Sequence, residues 1–192
     1  MREWIDGEGS IPAVLMIIGE APAVEEIKQG RPFCGKSGKI LDRMIAILGI
    51  PREMIYITNF SKRPLGDDKV MSESEVSFFS DILRQEIRDV RPEVIISLGA
   101  IATHYFLGDC VMDKVNAVPH IYRGSILVPS FHPAAMFYKP NQEKLIVKAF
   151  EMARLALDGE IRIDSIRTRK QNKMSLYTAL CIVGNLFPGS RP

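Results

Sequence analysis

GRPFCGKSGK, residues 30–39, decides how the rest of the chain is read. From Gly30 to Ser37 it spells G-x-x-x-x-G-K-S, the letters of a phosphate-binding loop. That motif needs a strand running directly into the turn and a helix leaving it, so that backbone N–H groups surround the phosphates. The nearest upstream strand candidate is AVLMIIG at 13–19, a continuous apolar run of the buried-parallel type. It ends eleven positions before Gly30, and the intervening GEAPAVEEIKQ carries three carboxylates against one lysine. Pro32 has no N–H to give a phosphate. The other strand candidates are MIYITN (54–59), EVIISLG (93–99) and SILVPS (125–130), and none ends in the Asp or Glu that would hold magnesium. A nucleotide-triphosphate site is therefore a distant alternative, and the loop needs another use.

Composition narrows the choice. The 192 residues suit one domain with an appended tail, and 46% hydrophobic residues are enough for a sizeable core. A net charge of +2 permits an anionic partner without demanding one. Cys34, Cys110 and Cys181 are odd in number, far apart and form no C-x-x-C, which argues against a disulfide framework or a structural zinc site. Arg2, Glu3 and Asp6 precede any apolar run, so no signal peptide is visible, and the apolar runs fall short of the roughly 20 residues of a membrane span. The expectation is a soluble, cytoplasmic protein, associated with the nucleoid if prokaryotic, and monomeric.

The strands alternate with helical patterns. KILDRMIAILGI places Ile40, Leu41, Met44, Ile45 and Leu48 at helical spacing, with Gly49 as C-cap. Ser72 and Glu75 form a capping box for a helix that ends before Pro92. A short helix is expected in GAIATHYFLG and a strong one in QEKLIVKAFEMARLAL. Such alternation predicts an α/β protein with a parallel sheet covered on both faces and a site beyond the C-terminal strand ends. The loops there contain Glu20, Phe33, Asn59 and His132, with Lys36, Lys62, Arg63 and Lys139 around them. A carboxylate, a ring, an amide and an imidazole suit a flat polar heterocycle, and the cations suit a phosphate backbone. Each residue also has a plain structural reading: Phe33 as core, Asn59 as a turn former, His132 as a satisfied turn residue, the cations as solvated surface.

The ordered set resembles the uracil-DNA glycosylase superfamily, family 4 in particular. GEAPAVEEIKQGRPFCGKSG resembles its first motif, ITNFSKRP its TN-x-x-K-x-R-P segment, RPEVIISLGAIA its RP-x-V-I-x-x-LG strand, and SFHPA its HP motif. The resemblance covers residues 19–157 and makes the GKS letters a chance overlay on a base-pocket loop. It implies a three-layer α/β/α sandwich around a central four-stranded parallel sheet. It implies excision of uracil, or a related deaminated base, flipped out of DNA in base excision repair. Glu20 and His132 would be catalytic, and Ala21, Phe33 and Asn59 would bind the base. Lys36, Ser37, Lys62, Arg63, Met136 and Lys139 would contact DNA, with Met136, Phe137 or Tyr138 as wedge.

Typical family 4 enzymes ligate a 4Fe–4S cluster through four cysteines: an N-terminal C-x-x-C, one after the lysine of TN-x-x-K, and one in the next helix. Here those places read MREWIDGEGSIP, Arg63 and Val76-Ser77-Phe78-Phe79, so no cluster and no other cofactor is expected. Ala23 stands where the family has glycine, so the backbone there must avoid positive φ. Residues 1–158 are read as the glycosylase-like domain and 159–192 as an extension: an extra helix, a basic arm on DNA or a partner-binding segment. A catalytically weak DNA-binding protein of the same fold remains an alternative.

Overall fold

The computed structural model describes residues 4–66 and 70–166. The extension's basic and apolar stretches, from residue 167 on, lie outside the described residues. All four expected strands form: β1 (Leu15–Gly19), β2 (Tyr56–Asn59), β3 (Val94–Leu98) and, after a short edge strand β4 (His120–Tyr122), β5 (Ser125–Ser130). The order is β2-β1-β3-β5-β4, parallel throughout except for β4, which runs antiparallel to β5. The sheet thus has five strands rather than the four expected. Three half-buried residues are too few to show a period in sequence, and β4 is defined by its pairing with β5.

Every residue of β1, β2, β3 and β5 is buried, which is why these strands read as unbroken apolar runs. The two-residue strand period sorts them between two cores. Leu15, Ile17, Ile57, Val94, Ile96 and Val128 face one layer, built from α2 (Lys36–Leu48) and α6 (Glu143–Leu157). Met16, Ile18, Tyr56, Ile95 and Leu127 face the other, built from α3 (Glu73–Val90) and α4 (Ala100–Leu107). Each fully buried Leu, Ile or Phe contributes about 1.5–3 kcal/mol relative to exposure. Ala149, Ala153 and Ala156 form a small-residue stripe in the core between α6 and its neighbours. Ile161, Ile163 and Ile166 continue the packing onto this core just beyond α6.

The caps follow the sequence. Gly49 ends α2 at φ 66°, and Ser72 accepts the Glu75 N–H while Glu75 accepts the Ser72 N–H. Two short helices, α1 (Val24–Gln29) and α5 (Met112–Val115), are too brief to show an amphipathic period. The first has a consequence: α1 and a loop separate β1 from α2, so the continuous strand–turn–helix of a phosphate-binding loop is absent. Among the described residues, no helix is long and apolar enough to cross a membrane.

Candidate active site

The order β2-β1-β3 means the chain leaves β1 toward opposite sides for its two neighbours, and a crevice opens where the order reverses. Glu20 follows β1 there and Gly99 follows β3. A cavity of about 660 Å³ lies at this end, and Glu20, Ala21, Gly99, His132, Tyr138 and Lys139 are among the residues that line it. Phe33 and Asn59, 3% and 4% exposed, are more deeply buried and are not part of that lining.

Asn59 pairs in register with Gly19 at the ends of β2 and β1. The N–H groups of Phe60 and Ser61 donate to the carbonyls of Gly19 and Glu20 at 2.9 Å, so the two loops leave the sheet in step. The Asn59 Oδ1 is buried and has no hydrogen-bond partner. An unsatisfied buried acceptor costs about 1–3 kcal/mol, so such an atom points to a ligand that donates to it. A Cβ on Gly19 would overlap both Asn59 Oδ1 and the Phe33 ring, which places those two groups against one another at the strand end.

Phe33 sits at φ 52°, a left-handed conformation that costs a non-glycine residue about 1–2 kcal/mol. Three groups hold it. Its N–H donates to Glu26 Oε1, its carbonyl is approached by an Arg52 N–H, and the first turn of α2 packs so closely on that carbonyl that Gly38 has no room for a Cβ. The ring stacks near His132, centroids 5.8 Å apart and planes 27° from parallel. Burial pushes the Glu26 carboxyl above the usual carboxylate range, opposed by the N–H groups of Ala23 and Phe33 and by Arg52.

His132 caps the 3-10 turn Pro133–Phe137, its Nδ1 accepting the Ala134 N–H at 3.2 Å. With Nδ1 an acceptor, the neutral ring carries its proton on Nε2, which is then a donor. The preceding Phe131 N–H donates to Asn116 Oδ1, and Asn116 Nδ2 donates to the Leu145 carbonyl, tying this turn to α6. Glu20 Oε1 accepts the Ile101 N–H at 3.3 Å, in the first turn of α4, where the helix dipole favours an anion. A Cβ on Gly99 would overlap the Glu20 carboxylate, and Gly99 sits at φ 90°, so glycine is required there twice over. Ala23, at φ −78°, avoids positive φ as its side chain demands.

The expected DNA contacts divide. Lys36 is exposed and Ser37 half-buried at the start of α2, and Lys139 is exposed on the cavity wall. Lys62 is a correction: it is completely buried. Its Nζ donates to both Glu86 oxygens at 2.7 and 2.8 Å, to Thr58 Oγ1 at 2.5 Å and to the Asn59 carbonyl at 3.0 Å. Burial pushes this ammonium below its usual range and Glu86 opposes the shift. Lys62 thus braces the strand end behind Asn59. Arg63 is half-exposed, but its guanidinium is engaged by Glu75 and the Pro64 carbonyl. Met136 is also corrected as a wedge: it packs against the α2–α6 core, whereas Phe137 is 50% and Tyr138 86% exposed. Sequence reading missed Glu26, Arg52, Asn116, Gly19 and Gly38. Glu26 stands three residues after a helix N-cap, a capping-box position, but Ala23 lacks the hydroxyl that makes the pattern visible.

The donor set for an iron–sulfur cluster does not fit. The position after Lys62 is Arg63, and at the start of α3 Phe78 and Phe79 pack their rings on Trp4, 5.8 and 5.7 Å between centroids. Cys34 and Cys110 are the cysteines among the described residues, and no group of three or more His, Cys, Asp or Glu there could hold a metal.

The fold and site define an α/β protein with a cavity at the switch point of a largely parallel sheet. The sequence model of the uracil DNA glycosylase superfamily matches residues 7–154, and the chain belongs to that superfamily. It is 36% identical over 169 residues to a type-4 uracil-DNA glycosylase of Saccharolobus solfataricus, across 83% of this chain and 78% of that one. To the type-4 enzyme of Sulfurisphaera tokodaii it is 34% identical, across 78% and 73%, and to that of Thermotoga maritima 31%, across 80% and 83%. A DNA polymerase of Bacillus phage SP01 is 26% identical over 155 residues, 17% of its length.

Proposed function

We propose that the chain is a uracil-DNA glycosylase, hydrolysing the N-glycosidic bond of deoxyuridine flipped out of DNA as the first step of base excision repair. The observation that carries the reading is the buried, unpartnered Asn59 Oδ1 against the Phe33 ring. Uracil N3–H would donate to that oxygen, and the Asn59 amide N–H would donate to O4, while the ring stacks on Phe33. Cytosine presents an acceptor at N3 and a donor at C4, so both contacts turn repulsive. The relatives' names support the same chemistry.

In the reaction the C1′–N1 bond breaks and its electron pair goes to the base, whose charge spreads onto O2. The His132 Nε2–H donates to that oxygen, stabilising charge that exists only as the bond breaks. A water attacks C1′, with its oxygen forming the new bond and its proton passing by way of the Glu20 carboxylate to solvent. Glu20 also offsets the positive charge on the sugar. The exposed Phe137 and Tyr138 press into the duplex beside the vacated position, and Lys36, Ser37 and Lys139 meet phosphates. In this reading the chain works as a monomer on DNA in the cytoplasm, and residues 1–158 carry the function.

The test is excision from labelled oligonucleotides carrying one U·G, U·A, hypoxanthine·T or T·G pair, read as alkali-labile breaks. Release at uracil that Asn59→Ala and His132→Ala both depress supports the reading. Release at hypoxanthine alone changes the substrate, and DNA binding without release from any oligonucleotide makes the chain a binding protein of the same fold.

A further inference from the structure

Glu26 takes no part in the reaction just described, yet it is a glutamate with 4% exposure. Both its oxygens are committed to backbone N–H groups: Oε2 to Ala23 at 2.5 Å, Oε1 to Phe33. Its own carbonyl accepts the N–H groups of Gly30 and Arg31 at 2.7 and 3.2 Å. One residue thus gathers the beginning, the bend and the end of the loop that runs from Ala23 to Phe33. From the other side, Arg52 donates to the carbonyls of Pro32 at 3.1 Å and Phe33 at 3.4 Å, and is itself steadied by Asp42 at 2.6 Å. The peptide groups flanking the ring are gripped at both ends, at a backbone angle an aromatic residue does not adopt unaided.

A side chain of neutral polarity would not serve equally. A carboxylate accepts at both oxygens, whereas an amide must turn a donor toward one of the two N–H groups. We infer that Glu26 is the positioning residue of the base-stacking ring: it holds the 23–33 loop in the one arrangement that sets Phe33 against Asn59, and so governs the excision step without touching DNA. The inference rests on the glycosylase reading above. Its consequence is that the main effect of Glu26 on excision passes through Phe33, with the Ala23 end of the loop as the lesser contribution.

The experiment is a double-mutant cycle on single-turnover excision from a U·G duplex at saturating protein, with Glu26→Ala, Phe33→Ala and the pair. Glu26→Ala is expected to slow excision roughly 10- to 100-fold, the scale of a misplacement of about 1 Å. Binding to an undamaged duplex of the same sequence is expected to stay unchanged, since no DNA contact is removed. In the Phe33→Ala background the Glu26 substitution is expected to change the rate by no more than about twofold. Glu26→Gln keeps the volume and one acceptor, and runs the same cycle if the alanine variant does not fold. Equal losses in both backgrounds, or a wild-type rate in Glu26→Ala, would overturn the inference while leaving the glycosylase intact. A wild-type chain that releases no base overturns the glycosylase reading itself, with the cycle never begun.

Discussion

Gly19 shows how a missing side chain builds a site. The space a methyl group would need is taken by Asn59 Oδ1 and the Phe33 ring. Gly19→Ala is expected to push both aside, lowering stability by about 1–3 kcal/mol and uracil excision by more than tenfold, measured by urea titration and single-turnover assay. Lys62 is the second residue whose role follows from burial. Lys62→Met leaves the Glu86 carboxylate with the Tyr56 and Thr58 hydroxyls and no cation, and is expected to cost about 3–5 kcal/mol in denaturant unfolding, far more than a surface lysine would. Replacing Lys62 and Glu86 together by apolar residues of similar volume is expected to recover much of that loss. A Lys62→Met protein as stable as the parent would mean that the pair is not formed.

The caps and the exposed turn set behaviour at the scale of elements. Ser72→Ala removes the forward half of the α3 cap and is expected to cost about 1 kcal/mol in thermal unfolding. The Ser72 N–H and the Arg63 guanidinium hold the Glu75 carboxyl down to about 2, against 4.5 for an ordinary glutamate. A folded-state value below the unfolded one means that its contribution is complete above pH 4.5 and fades as pH falls toward 2. Amide protection in the first turn of α3, taken relative to the intrinsic exchange rate at each pH, is expected to fall across that window, and in Glu75→Gln to stay level. At the turn after His132, Tyr138→Ala is expected to slow excision from duplex DNA several-fold and from single strands little, because only the duplex must be unstacked. Equal losses on both would remove Tyr138 from the wedge role.

For the whole molecule, the donor set predicts that protein expressed with ample iron carries no stoichiometric iron or acid-labile sulfide and unfolds at an unchanged temperature with chelator. A full complement of iron would overturn that expectation. The aromatic packing of Trp4 on Phe78 and Phe79 stands beside the positions read for cluster cysteines. Much of this architecture was legible in the sequence. Four buried strands announce themselves as apolar runs, and Gly49, Ser72 and Pro92 punctuate the helices, because local hydrophobicity and backbone preference are properties of neighbouring residues. That Glu20, Asn59 and His132 meet at one end of the sheet was legible too, since strand ends in a parallel sheet converge on one rim. What lay outside the sequence is whatever depends on residues distant along the chain meeting in space. Lys62 reads as a surface cation and becomes a buried brace only because Glu86 arrives from α3, two dozen positions on. Met136 and Phe137 are both apolar in sequence, and the packing of α2 and α6 decides which turns inward. Glu26 becomes a clamp because the loop folds back on it. Sequence determined the layers and the order of the site's parts; the tertiary structure decided which charges face water, because burial is set by the partner surface rather than by the residue.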